Sequence, residues 1–140
     1  LNYLRLSSVP DSLEHEWKTV DLSYNFLTDI TPLARCNFST LVNLDLSHNN
    51  IGNIPVDVCL NLRTVQVLAL NYNQIEEIPS ELFANTPVLR QLHLSNNKLT
   101  TIPEDVIVWR DHLTHLDLAS NRLFELPDSL RQFAKLKAIT

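Results

Sequence analysis

Three side chains in the second half of the chain carry groups from which a metal centre or an acid–base pair could be built: His93, His115 and Asp117. Two imidazoles beside a carboxylate suit a divalent cation or a proton relay. No third imidazole or thiolate stands close in register with them, because Cys36 and Cys59 fall in other parts of the pattern described below. No serine sits in a nucleophile-elbow sequence, and a glycine-rich phosphate loop is ruled out because Gly52 is the sole glycine. Without a convergent constellation these residues predict no catalytic group, no bound metal and no cofactor. They must instead be explained by the elements that carry them.

Those elements repeat. In LVNLDLSHNNI, residues 41–51, apolar side chains stand at the first, fourth, sixth and eleventh places and the polar Asn49 at the ninth. This fits neither a helical face nor a strand alternation. The frame recurs as WKTVDLSYNFL, VQVLALNYNQI, LRQLHLSNNKL and LTHLDLASNRL, with successive starts 24 residues apart. At the ends it decays: LNYLRL offers Leu1, Leu4 and Leu6 as first, fourth and sixth places, and LKAIT offers Leu136 and Ile139. The second half of each repeat is patterned too. NIPVDVC, EIPSELF, TIPEDVI and ELPDSL share an aliphatic–proline pair with an apolar residue three positions after the proline.

This pattern resembles the leucine-rich repeat family over nearly the whole chain. The resemblance implies an α/β fold, a curved right-handed solenoid with a parallel β-sheet on its concave face. Short helical turns or irregular coil are expected on the convex face. It also implies one domain over residues 1–140, with a partial repeat at 1–16, repeats at 17–40, 41–64, 65–88, 89–112 and 113–135, and a partial repeat at 136–140. Residues 10–17, PDSLEHEW, fit a short helix with acidic first turns that would act as a partial cap. Because the apolar strand pattern runs to the end without a polar cap, we expect the chain to be a piece of a longer protein or a processed form.

The repeated asparagine has a physical purpose. After its strand the chain must turn sharply, which buries backbone donors and acceptors. Asn25, Asn49, Asn73, Asn97 and Asn121 each offer a carbonyl and an amide to meet them, so a structural ladder is expected. With a single glycine, the turns are expected to rely on asparagine and proline.

Strand alternation predicts that the second, third, fifth and eighth places face outward. The eighth place gives Ser8, Tyr24, His48, Tyr72, Asn96 and Ser120. Tyrosine is enriched at interface hot spots, so Tyr24, His48 and Tyr72 are candidate partner-binding residues. The fifth place gives Arg5, Asp21, Asp45, Ala69, His93 and Asp117, with Gln91 and His115 at the third. Its acidic bias suits basic groups on a partner and equally suits a solvated face. Asp21, Asp45, His93, His115 and Asp117 complete the candidate binding set.

These features describe a non-catalytic module that binds a protein through its concave face. The alternative is a structural or regulatory scaffold segment of a larger receptor or signalling protein. A net charge of −5 with scattered cations predicts no nucleic-acid binding. No apolar run approaches the ~20 residues that insert into a membrane. Cys36 and Cys59 occupy neighbouring repeats, which leaves a disulfide geometrically open, while Cys59 alternatively fills the buried place of Phe83 and Ile107. Asn37-Phe38-Ser39 is a glycosylation sequon that would matter only in a secreted chain. The absence of flanking cysteine clusters favours a cytoplasmic over an extracellular or cell-surface location.

Overall fold

The computed structural model describes every residue except 12, 14, 15, 134, 136, 137 and 140. The expected helix over residues 10–17 falls partly on those positions, and none of its described residues is helical. Leu136 also lies outside the described residues.

Short strands form one parallel sheet in chain order: β1 (Thr19–Asp21), β2 (Asn43–Asp45), β3 (Val67–Ala69), β4 (Gln91–His93), β5 (His115–Asp117) and β6 (Ala138–Ile139). Register follows the frame. Val20 faces Leu44, which faces Leu68, then Leu92, then Leu116, so every fourth-place residue meets its counterpart. These side chains, with those at the sixth and eleventh places, form one continuous core.

The other half of each coil is started by its proline. Pro55, Pro79, Pro103 and Pro127 all hold φ between −62° and −68° and stand as N-caps. Proline lacks a backbone donor but keeps its carbonyl, which suits a position whose only helical duty is to accept. Each of the four carbonyls takes the N–H of the residue three positions on, at 3.1–3.2 Å. The acceptor bonds pull Val58, Leu82, Val106 and Leu130 into the core, all buried. The segments that follow are the α-helices α1 (Val56–Cys59) and α2 (Ser80–Asn85) and the 3-10 turns Glu104–Trp109 and Asp128–Gln132; a further 3-10 turn, Thr31–Arg35, precedes them. Helical turns are wider than the ~4.8 Å between strands, so stacking them curves the coil with the sheet inside.

Helix type changes which residue fills the core. In α2 Phe83 is buried, but in the 3-10 turn its counterpart Ile107 is only partly buried and Trp109 takes the space instead, its ring 4.5 Å from Phe83. The Trp109 indole N–H donates to Thr86 Oγ1 at 3.1 Å, and that hydroxyl donates to the Leu82 carbonyl at 2.7 Å. Trp17 departs from the other first-place residues: Leu41, Val65, Leu89 and Leu113 are buried, whereas Trp17 is 44% exposed.

Each asparagine side chain binds two turns of coil. Asn73 Oδ1 accepts the N–H of Ile51 in the preceding turn at 3.0 Å, and its amide donates to the carbonyls of Leu46 at 2.9 Å and Leu70 at 3.0 Å. Asn49, Asn97 and Asn121 repeat this set one frame apart. Asn25 does the same with Leu6 N–H, Leu1 O and Leu22 O.

The Asn25 bonds revise the start of the chain. The carbonyl bonded by Asn49 in the preceding turn belongs to Leu22, a sixth-place residue, so Leu1 stands at the sixth place and not the first. Leu4 and Leu6 then stand at the ninth and eleventh. Tyr3, not Ser8, holds the eighth place, and Arg5 holds the tenth rather than the fifth. Leu4 sits where the other frames have asparagine and is 55% exposed.

Candidate functional site

The eighth-place residues lie beyond the strands, so alternation does not orient them. Tyr3, Tyr24, His48, Tyr72, Asn96 and Ser120 all have φ between 53° and 57°. This left-handed conformation is uncommon for residues with a Cβ. It supplies the sharp turn, while the ninth-place asparagine supplies the bonds. The strained residue is held by its own N–H, which donates to the seventh-place carbonyl of the next turn: Tyr24 to Ser47 at 3.0 Å, His48 to Asn71 at 3.0 Å, Tyr72 to Ser95 at 2.9 Å. Asn96 and Tyr3 make the same bond.

One geometry repeated at the strand spacing aligns the side chains. Tyr3, Tyr24, His48 and Tyr72 stack face to face, with centroid distances of 4.3, 4.0 and 4.1 Å and interplanar angles of 10–12°. The Tyr3 phenol is pushed up from its ordinary value by loss of water along the stack and then by hydrogen bonding to Tyr24. Tyr24 has both faces covered by neighbouring rings yet remains 42% exposed, so its exposure is at the ring edge and hydroxyl. On one flank an open hollow of about 490 Å³ is lined by Tyr3, Arg5, Tyr24, Asn25, Phe26 and His48.

On the other flank lies the sheet. Asp21, Asp45, His93 and Asp117 stand at the strand ends, half-buried. Three of them bind their own turns: Asp21 Oδ1 accepts from Ser23 N–H at 3.0 Å and Ser23 Oγ at 2.7 Å, Asp45 Oδ1 from Ser47 N–H at 2.9 Å, and Asp117 Oδ1 from Ala119 N–H at 3.1 Å. His93 is the register neighbour of Asp117, and His115 that of Gln91. The His115 Nδ1 pairs with Thr114 Oγ1 at 2.9 Å. Among the described residues no group of three His, Cys, Asp or Glu side chains is placed to hold a metal ion.

Tyr3 is the member of this surface that the sequence does not reveal, because its frame register is ambiguous there. Away from the sheet, Cys36 and Cys59 are free thiols rather than a disulfide. Cys59 is buried in the core and its thiol is pushed up to about 12, by burial first and the nearby Glu81 charge second. Asn37 is exposed, and its Oδ1 accepts the Ser39 N–H at 3.2 Å.

Solved structures share the geometry. A leucine-rich repeat protein of Leptospira interrogans matches all of this chain at 27% identity with a TM-score of 0.83. An internalin (inlF) and an internalin C2 (inlC2) of Listeria monocytogenes match 87% and 88% of it at 29% and 28% identity, with TM-scores of 0.68 and 0.76. The chain spans 35%, 34% and 50% of those three chains respectively. No curated protein matches it. The family model described as leucine rich repeat matches in four overlapping windows, 15–75, 39–99, 63–123 and 87–140. With its stacked strands, its bonded asparagines and these matches, the chain belongs to the leucine-rich repeat family and is a solenoid with its parallel sheet on the concave side.

Proposed function

We propose that this segment is a non-catalytic protein-binding module and that its partner lies across the sheet and the aromatic ledge. Leucine-rich repeat proteins are generally protein-interaction modules, which supports the class of function. The observation that carries the location is the stack of Tyr3, Tyr24, His48 and Tyr72. Its rings are fixed by backbone geometry and by one another, yet their edges and hydroxyls stay open. A partner therefore loses little side-chain entropy on contact, since these rings are ordered already. Tyr24, His48, Tyr72, Asp21, Asp45, His93, His115 and Asp117 form the proposed contact set, with Tyr3 added. Among the described residues no helix is long and apolar enough to cross a membrane.

The test uses immobilised protein to capture partners. Tyr24→Ala, His48→Ala and Tyr72→Ala each weaken a captured partner by about 1–3 kcal/mol while melting temperatures stay within a few degrees. Asp57→Ala, Glu81→Ala and Glu104→Ala on the convex side serve as matched controls. A partner lost with the convex set and indifferent to the rings would move the site to the outer face.

A second reading, that the repeats orient neighbouring domains of a larger protein, draws support from the limited share of each solved relative that this chain spans. Binding assays on a longer chain, with the ring substitutions in place, separate the two.

A further inference from the structure

We infer that the segment docking on this face is extended and basic, with Lys or Arg side chains set against Asp21 and Asp45. This deepens the interaction reading above and rests on it.

Asp21 and Asp45 are register partners on adjacent strands, so their backbones lie one strand spacing apart, about 4.8 Å. Like charges directly opposite each other across a strand pair destabilise a sheet. Each carboxylate is also locked in place, because its Oδ1 holds the N–H two residues on. Neither can swing away to relieve the repulsion without losing a turn. The Asn2 amide donates to Asp21 Oδ2 at 2.9 Å, but a neutral donor leaves the charge in place. Among the described residues neither forms an ion pair: the pairs present are Arg110–Asp111 at 3.7 Å and Arg131–Asp128 at 3.4 Å, on other parts of the coil. Lys18, the basic residue in the same frame as Asp21, stands on the other side of β1 in sequence, before Thr19. A cation from outside would meet two fixed negative charges with no cation of their own.

The ring stack sets the shape of what carries that cation. Stacking at 4.0–4.3 Å leaves no gap between rings for a guanidinium or a sugar, so the internal ring faces are closed to ligands. What remains is a row of ring edges, which are the positive side of the aromatic quadrupole, and hydroxyls that both donate and accept. Backbone carbonyls and N–H groups match such a row. The row is roughly 12 Å long, the reach of about four residues of extended chain. An extended segment on the ledge places alternate side chains towards the sheet, where Asp21 and Asp45 stand.

The experiment titrates isotope-labelled protein with an eight-residue peptide of alternating Arg and Ser, and separately with its Glu–Ser counterpart, following backbone amide shifts. The expected result is shifts confined to residues 19–24 and 43–48 and to the ledge ends Tyr3 and Tyr72 with the basic peptide, and none with the acidic one. The double substitution Asp21→Asn with Asp45→Asn keeps an Oδ1 acceptor for each turn and removes both charges, losing besides them only the exposed Asn2 bond to Asp21 Oδ2. It should weaken the basic peptide about ten-fold or more without lowering the melting temperature. Shifts centred on the convex acids Asp57, Glu81 and Glu104, no binding of the basic peptide, or equal affinity for the double variant each overturn the inference. If a captured partner is lost on Tyr24→Ala but binds the double variant as tightly as the parent, the basic segment is wrong and the interaction reading survives. Indifference to both sets removes both.

Discussion

The side-chain carbonyl of Asn73 accepts the backbone N–H of Ile51 across the boundary between two turns of coil, at 3.0 Å. Both residues are buried, so neither group can turn to water when the bond is removed. Asn73→Ala strands the Ile51 N–H and weakens the bonding of the Leu46 and Leu70 carbonyls, and is expected to destabilise by about 1–3 kcal/mol. Gln74→Ala, one residue on and exposed, is expected to lie within about 0.5 kcal/mol of the parent. Denaturant titration of the two variants, with similar midpoints, would falsify the bonding role assigned to the asparagines.

Thr86 links two elements through one hydroxyl, receiving the Trp109 indole N–H and donating to Leu82 O. Valine has nearly the same shape without the oxygen. Thr86→Val should therefore cost about 1–3 kcal/mol with little cavity effect, because Trp109 keeps its packing but loses its acceptor. Retained stability in thermal melts would show that the indole finds another partner.

His112 carries a pH signature. Its Nε2 is buried and has no hydrogen-bond partner among the described residues, and its pKa is lowered, first by burial and further by the Arg90 and Lys135 charges, against a raising effect of Asp111. The unfolded chain accordingly binds a proton at a higher pH than the folded one. Stability from this residue is complete above an unfolded value of about 6.5 and is lost as pH falls from there towards the lowered folded value. The drop in melting temperature between about pH 7.5 and 5.5 should be larger for the parent than for His112→Gln. Equal drops refute the assignment.

The two thiols should differ in reactivity. The Cys59 thiol, pushed up to about 12 and fully buried, has almost no thiolate at neutral pH and no access for reagent. Cys36 is half-buried, and its thiol is also raised, by burial. With an aromatic disulfide reagent at neutral pH, Cys36 is expected to react slowly in the native protein and Cys59 only after unfolding. Simultaneous release of both would mean that the core around Cys59 opens readily.

Residue chemistry decides which parts of this structure are legible in the sequence. Asn49 is legible because an amide that recurs among leucines is buried with them, and a buried amide must bond backbone that strands and helices leave unpaired. The proline pairs are legible as a repeated mark of the convex half, but whether helical turn or coil follows them is not, and the structure shows them as N-caps that accept without donating. The beginning of the chain is not legible. The first, fourth and sixth places have the same spacing as the sixth, ninth and eleventh, so Leu1, Leu4 and Leu6 satisfy both. Only an asparagine at the ninth place separates them, and Leu4 stands there. That ambiguity hides Tyr3 from the candidate surface. The stacking of Tyr24, His48 and Tyr72 is hidden for another reason: strand alternation gives no direction to a residue beyond the strand, and a left-handed turn at a tyrosine is not the default expectation.

Asparagine bonds in this coil join a turn only to its neighbours, which has a mechanical consequence. Tension applied between the two ends passes through every turn in series, and each rung carries the whole load. The coil should therefore lengthen by releasing turns one at a time from whichever end yields first, in a sawtooth rather than a single rupture. The curved sheet would then behave as a spring with a graded extension, able to keep its inner turns assembled while outer turns have already given way.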